Sequence, residues 1–180
     1  VYLRTERLVL RRLSTEDIPL FVLLNDDPEV MRHIDWQPPS VDEVAEEVAE
    51  IVAAYEKYPD HGRFVAESPD GGFLGWFGLR VTDAGPSAPD LGYRLRRSDW
   101  GRGLATEGSR ALIDHAFTNL AADRVTADVM MVNTRSRNVL ERCGMRHTRT
   151  FHVDFEDPLP GTEHGEGFYE ITRAEWLARR

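Results

Sequence analysis

The pattern of apolar and polar positions changes period several times along the chain, and each change marks an element. Over residues 3–13, apolar and charged residues alternate around Leu8, Val9 and Leu10, which predicts a first strand. Ser14-Thr15-Glu16-Asp17 offers an N-cap with acids in the first turn, and Ile18, Phe21 and Val22 follow at helical spacing. A helix is expected here, stopping before Pro28. Ser40-Val41-Asp42-Glu43 has the form of a capping box. Val41, Val44, Val48, Ile51, Val52 and Tyr55 then define one apolar face opposite an acidic one.

From Arg63 the segments shorten. Strands are expected at 63–67 and 73–81, joined through the turn residues Pro69-Asp70-Gly71-Gly72, with a third at 90–96 after a loop at 83–89. Residues 101–120 read as a helix with Leu104, Ala111, Leu112, His115 and Ala116 on one side. A strand at 124–130, a short helix at 136–142 ended by Gly144, strands at 145–155 and 168–172, and a helical end at 173–180 complete the pattern. No repeat, low-complexity tract or linker divides the chain. One α/β domain over residues 1–180 is expected, with a mixed, largely antiparallel sheet of about six to seven strands flanked by helices.

Composition narrows the function. A chain of 180 residues that is 41% hydrophobic and 29% charged fits one globular domain. The net charge of −9 comes from scattered acids, so the basic footprint of a nucleic-acid binder is missing and a cationic partner suits the surface better. Cys143 is the only cysteine, which excludes an internal disulfide framework and fits a reducing cytoplasm. No apolar run approaches the roughly 18 to 20 residues of a membrane span, and the opening residues are too charged for a signal peptide. A cytoplasmic protein without membrane contact is expected. The six histidines show neither a His-Glu-x-x-His arrangement nor cysteine partners at zinc spacing, so no metal is expected.

The most informative stretch is Trp100-Gly101-Arg102-Gly103-Leu104-Ala105-Thr106-Glu107, where glycines stand between a predicted strand and a long helix. Such a turn exposes main-chain N–H groups at the positive end of a helix and suits a phosphate or pyrophosphate. A P-loop would need Gly-Lys-Ser/Thr, which is missing. A dinucleotide fingerprint would need glycine or alanine where Thr106 stands, after the first strand of a parallel unit. Gly-x-Gly also occurs in plain tight turns.

This string resembles the pyrophosphate loop of GNAT acetyltransferases, with Trp100 in place of the usual Gln or Arg, as in the RimJ/RimL-like branch. Downstream, Asn133-Thr134-Arg135-Ser136 to Gly144-Met145 resembles the family's Asn-x-x-Ser signature, and residues 4–11 and 171–176 are also similar to that branch. The resemblance implies acetyl-CoA as co-substrate, held in a cleft where two strands splay apart, and an amine acceptor: a peptide N-terminus or a small cationic amine. It implies that the main chain of Tyr93 and Leu95 pairs with the pantetheine arm, and that the Trp100 to Thr106 turn, including Gly101, Arg102, Gly103, Leu104 and Ala105, holds the pyrophosphate.

By the same resemblance Asn133 contacts cofactor or substrate, and Ser136 places a hydroxyl near the thioester sulfur. Both are also natural helix caps. Asp90 stands where relatives carry Glu in a Glu-x-Gly-Tyr string and is the expected base, although a turn aspartate after Pro89 has an ordinary local explanation. Tyr93 is an alternative proton handler. Glu107 belongs to the motif and also suits a first helical turn. The segments 33–36 and 155–164 offer aromatic and acidic side chains for an acceptor pocket. A non-catalytic acyl-CoA sensor and transfer of a longer acyl group are the alternatives. The sequence sets no oligomeric state and is compatible with a dimer.

Overall fold

The computed structural model describes residues 1–180. Eight strands form one sheet: β1 (Leu3–Arg4), β2 (Val9–Arg12), β3 (Gly62–Glu67), β4 (Phe73–Thr82), β5 (Gly85–Leu95), β6 (Arg124–Met130), β7 (Arg146–Phe151) and β8 (Glu166–Thr172). Their spatial order is β1-β2-β3-β4-β5-β6-β8-β7, and every neighbouring pair is antiparallel except β5 and β6. The helices are α1 (Ile18–Asn25), α2 (Pro28–Met31), α3 (Val41–Ala54), α4 (Leu104–Asn119), α5 (Thr134–Arg142) and α6 (Arg173–Ala178).

The eighth strand arises because residues 3–13 fold back on themselves. The Thr5 amide bonds the Leu8 carbonyl at 2.9 Å, and the turn is held from outside by Glu107, which accepts from the Thr5 hydroxyl and the Arg7 amide. Residues 83–89, expected as a loop, mostly belong to β5. The reversal needs only Asp83-Ala84, between paired Thr82 and Gly85. Pro28 does not merely stop α1. It opens α2 from its first turn, with Asp27 capping the Glu29 amide at 3.0 Å. α5 begins at Thr134, two residues earlier than expected, and β7 ends at Phe151, so 152–155 joins a loop.

The sheet has a core on each face. On one, α4, α5 and α6 contribute Leu104, Leu112, Ala116, Leu140 and Trp176 to a core shared with Phe77, Leu91 and Leu95. On the other, Phe21, Leu24, Val44 and Val48 of α1 and α3 meet Val65 and Trp76. The buried stripe of α4 continues through Ile113 and Phe117, leaving Ala111 and His115 at its margin. Gly108 lets α4 sit directly on the sheet, since a Cβ there would lie 2.4 Å from the Phe77 ring.

Candidate active site

The turn before α4 is built by conformation rather than by side chains. Gly101 and Gly103 have φ of 73° and 78°, in the left-handed region that glycine tolerates without strain. Gly103 precedes the helix without a side-chain cap, and the first helical bond runs from the Glu107 amide to the Gly103 carbonyl at 3.0 Å. The amides of Leu104, Ala105 and Thr106 therefore find no acceptor in the chain. The turn itself faces open space at Gly101, where a Cβ would meet nothing within 4 Å. This end of α4 fits an anionic phosphate group.

Side chains brace the turn from below. Arg7 donates through Nε to Glu107 at 2.7 Å and through Nη1 to the Arg102 carbonyl at 2.7 Å. Asp99, buried, accepts from Arg96 at 2.8 Å and from Arg102 at 3.1 Å, so it tethers both exposed guanidinium groups beside the turn. The Trp100 indole donates to the Leu95 carbonyl at 2.9 Å, and Arg135 stacks 4.4 Å above its ring, joining the turn to α5. Sequence reasoning missed Arg7, Asp99 and Arg135. Asp99 carried a usable signal, lying three residues from each of Arg96 and Arg102.

Beside the turn the sheet opens. β5 and β6 pair only at Asp90↔Thr126, and beyond that point the two strands diverge. The Arg96 amide bonds the Leu74 carbonyl while Gly75 stands opposite Leu95, so Gly75/Leu95 is a pair without mutual bonds. By alternation Phe77/Tyr93 is another. The main-chain groups of Tyr93 and Leu95 thus point away from β4 and into the gap, apart from the Leu95 carbonyl that Trp100 occupies.

Alternation also separates the side chains. Tyr93 faces α4 and α5, where its hydroxyl donates to the Ser136 hydroxyl at 3.1 Å. Asn133 caps α5, its Oδ1 accepting from the Ser136 amide at 3.2 Å. Burial pushes the Tyr93 phenol up to about 12, so it keeps its proton. Asp90 faces the opposite side, with Thr126 Oγ1 at 3.3 Å and Arg80 Nη2 at 3.3 Å. Burial pushes its carboxyl up to about 6, the Asp128 charge adding to the rise and Arg80 opposing it. The gap is therefore flanked by hydroxyls that hold protons on one face and by a carboxylate able to take one on the other.

On the Asp90 face, at the open end of the gap, lies a cavity of about 310 Å³ lined by His33, Asp35, Trp36, Met130, Phe155 and Glu166, among others. The segments 33–36 and 155–164 meet here, and the Trp36 indole donates to the Asp157 carbonyl at 3.0 Å across them. Cys143 is a core residue: burial pushes its thiol up to about 11, and it donates to the Thr106 carbonyl at 3.8 Å. No three His, Cys, Asp or Glu side chains meet in a metal-holding group.

A split sheet with a bare helix end beside the gap and proton-handling groups on both faces defines an acyl-CoA-dependent transferase. The chain belongs to the GNAT acetyltransferase family: residues 7–146 match the family described as Acetyltransferase (GNAT) domain. It is 34% identical over 183 residues to an Aspergillus fumigatus protein, FsC-acetyl coenzyme A-N(2)-transacetylase, covering 97% of this chain and 77% of that one. The spermidine N-acetyltransferase of Vibrio cholerae, solved with CoA and spermine, has the same fold, with a TM-score of 0.80 at 20% identity over 96% of this chain and 99% of that one. RimL, a ribosomal L7/L12 alpha-N-protein acetyltransferase solved with coenzyme A, gives 0.79 at 17% identity over 93% and 95%. The protein is an acetyl-CoA-dependent acetyltransferase acting on amines.

Proposed function

We propose that the whole chain works as one cytoplasmic acetyltransferase domain, in the RimJ/RimL-like branch. It passes acetyl directly to a primary amine, either an N-terminal α-amine or a small cationic amine, in a ternary complex. One observation carries this reading: Tyr93–Ser136 and Asp90 flank a single gap in the sheet from opposite faces. The Trp100 to Glu107 string supports the branch. The Aspergillus relative, named for transfer to an N(2) position, supports the amine.

Acetyl-CoA supplies an activated thioester. The amides at the start of α4 hold its pyrophosphate, and the main chain of Tyr93 and the Leu95 amide pair with its arm. The acceptor amine approaches from the Asp90 face. Asp90 takes the ammonium proton, the freed lone pair forms the new C–N bond as the C–S bond breaks, the second nitrogen proton leaves to solvent, and sulfur takes a proton from Ser136, which Tyr93 resupplies; exchange with solvent then restores Tyr93 and Asp90. A thiol with pKa of about 8.5 is a good leaving group, so the larger demand lies on the acceptor. An α-amine near 8 is about one-tenth neutral at pH 7, whereas a lysine-like amine near 10.4 is neutral about once in a few thousand. Asp90 matters more for the second.

The test is acetyl-CoA-dependent thiol release with N-terminal peptides, lysine peptides, polyamines and aminoglycosides, comparing the parent with Ser136→Ala and Asp90→Asn. Release that needs acceptor and falls in both variants is expected. Binding of acetyl-CoA with no release on any acceptor overturns the reading in favour of a sensor.

A further inference from the structure

The cavity at the open end of the gap has walls and floor of different chemistry. Trp36 and Phe155 stand at its rim, each about half exposed. Its floor is Met130 and Glu166, which lie directly opposite one another on β6 and β8. All its charged lining groups are acidic: Asp35, Asp157 and Glu166. His33, the remaining titratable lining group, is held below the ordinary histidine range by burial and by Arg32.

Glu166 differs from the other carboxylates near the gap. It is part-buried, yet no donor or cation of the chain touches it, and burial followed by the Asp128 charge raises its pKa. The nearby cations are engaged elsewhere: Arg80 pairs with Asp90 at 3.3 Å, and Arg149 stacks between Phe151 and Phe168. Partial burial without a partner disfavours the carboxylate, and an arriving cation offsets that cost. Aromatic faces at the rim add attraction for the same charge.

Position along β6 sets the spacing. Asp90 stands beside Thr126 on one side of β6, while Glu166 stands beside Met130 on the other side but the same face, four residues further: about 13 Å along the strands and about 10 Å across them, or about 16 Å between backbones. Asp128 lies between them. One ammonium group cannot serve both ends.

We infer that Glu166 is the specificity-determining residue of the acceptor site: it seats a second cationic group of the acceptor beneath Trp36 and Phe155, while the reacting nitrogen is presented at Asp90. The ligand class is a primary amine carrying a further positive charge several bonds from that nitrogen. The inference rests on the acetyl-transfer reading above and names its substrate class.

The experiment compares a series of α,ω-diamines with monoamines in which the distal ammonium is replaced by methyl, using the parent, Glu166→Gln and Glu166→Asp. In the parent, kcat/KM is expected to favour diamines by about tenfold or more, equivalent to about 1.4 kcal/mol. In Glu166→Gln that ratio falls towards one, through KM for the diamine rather than kcat, and Glu166→Asp restores part of it. Equal use of both amines by the parent, or a Glu166→Gln variant that keeps the ratio, overturns the inference while leaving acetyl transfer intact. If no amine turns over, the transfer reading fails separately. Calorimetric titration of a diamine into the CoA-loaded protein then decides the role of Glu166: binding lost in Glu166→Gln supports it, and absent or unchanged binding overturns it.

Discussion

Replacing Asp90 by Asn exchanges an ionisable oxygen for an amide while keeping shape and an acceptor for Thr126, so it separates the cost of the carboxylate from its use. Raising the carboxyl from 3.8 to about 6 means that the native state binds a proton more tightly than the unfolded chain does. The contribution of Asp90 to stability is therefore most favourable below about pH 4, falls as pH climbs towards 6, and stays at the lower value above it. At 1.36 kcal/mol per tenfold in proton affinity, the ionised group costs the fold about 3 kcal/mol at neutral pH. The opposing attraction of Arg80, whose side chain is 67% exposed, is already contained in that figure. Asp90→Asn should raise Tm at pH 7.5 by roughly 6 to 12 °C, at about 2–4 °C per kcal/mol for a chain of this size. It should lose that advantage at pH 4. A general base contributes typically 10²–10⁴ in rate, so kcat/KM should fall by about that factor. Thermal unfolding at the two pH values and thiol release across pH 5 to 9 measure both. A Tm that falls at pH 7.5, or a parent profile with no inflection near 6, refutes the argument.

Other perturbations probe the remaining parts. Tyr93→Phe removes the hydroxyl that Ser136 accepts from, so kcat should drop by about tenfold or more with KM for acetyl-CoA little changed; initial rates check this, and an unchanged kcat removes Tyr93 from proton supply. Gly103→Ala imposes a left-handed conformation on a residue with a Cβ, costing about 1–2 kcal/mol, and should weaken acetyl-CoA binding measured by calorimetry. Gly108→Ala forces a methyl into the Phe77 ring and should destabilise by about 1–3 kcal/mol in denaturant unfolding.

Local chemistry made much of the fold legible. Ser40 caps the Glu43 amide, Asn133 caps the Ser136 amide, and β6 runs over the expected Arg124–Met130, because caps and short apolar alternation act within a few residues. The extra strand was not legible: its turn depends on Glu107, about a hundred residues away. Nor does sequence alone show that Glu166 shares a face with Asp90, which follows from the registers Asp90↔Thr126 and Met130↔Glu166.

Strand parity also explains why two proton-handling groups three residues apart can hold different protonation states. Had Tyr93 stood an even number of residues from Asp90, both would face one side, and the phenol would donate to the carboxylate and deplete its basicity. On opposite faces they meet only through the reacting centre, one losing a proton as the other gains one. A slip of one residue would reverse this arrangement. The register is held accordingly. β4 and β5 are joined by a two-residue turn, and Gly75 approaches so closely that a Cβ would stand 2.0 Å from the Arg94 carbonyl. Gly75 thus helps fix which face Asp90 occupies, so its replacement should lower activity through strand register even though it contributes no side chain to the chemistry.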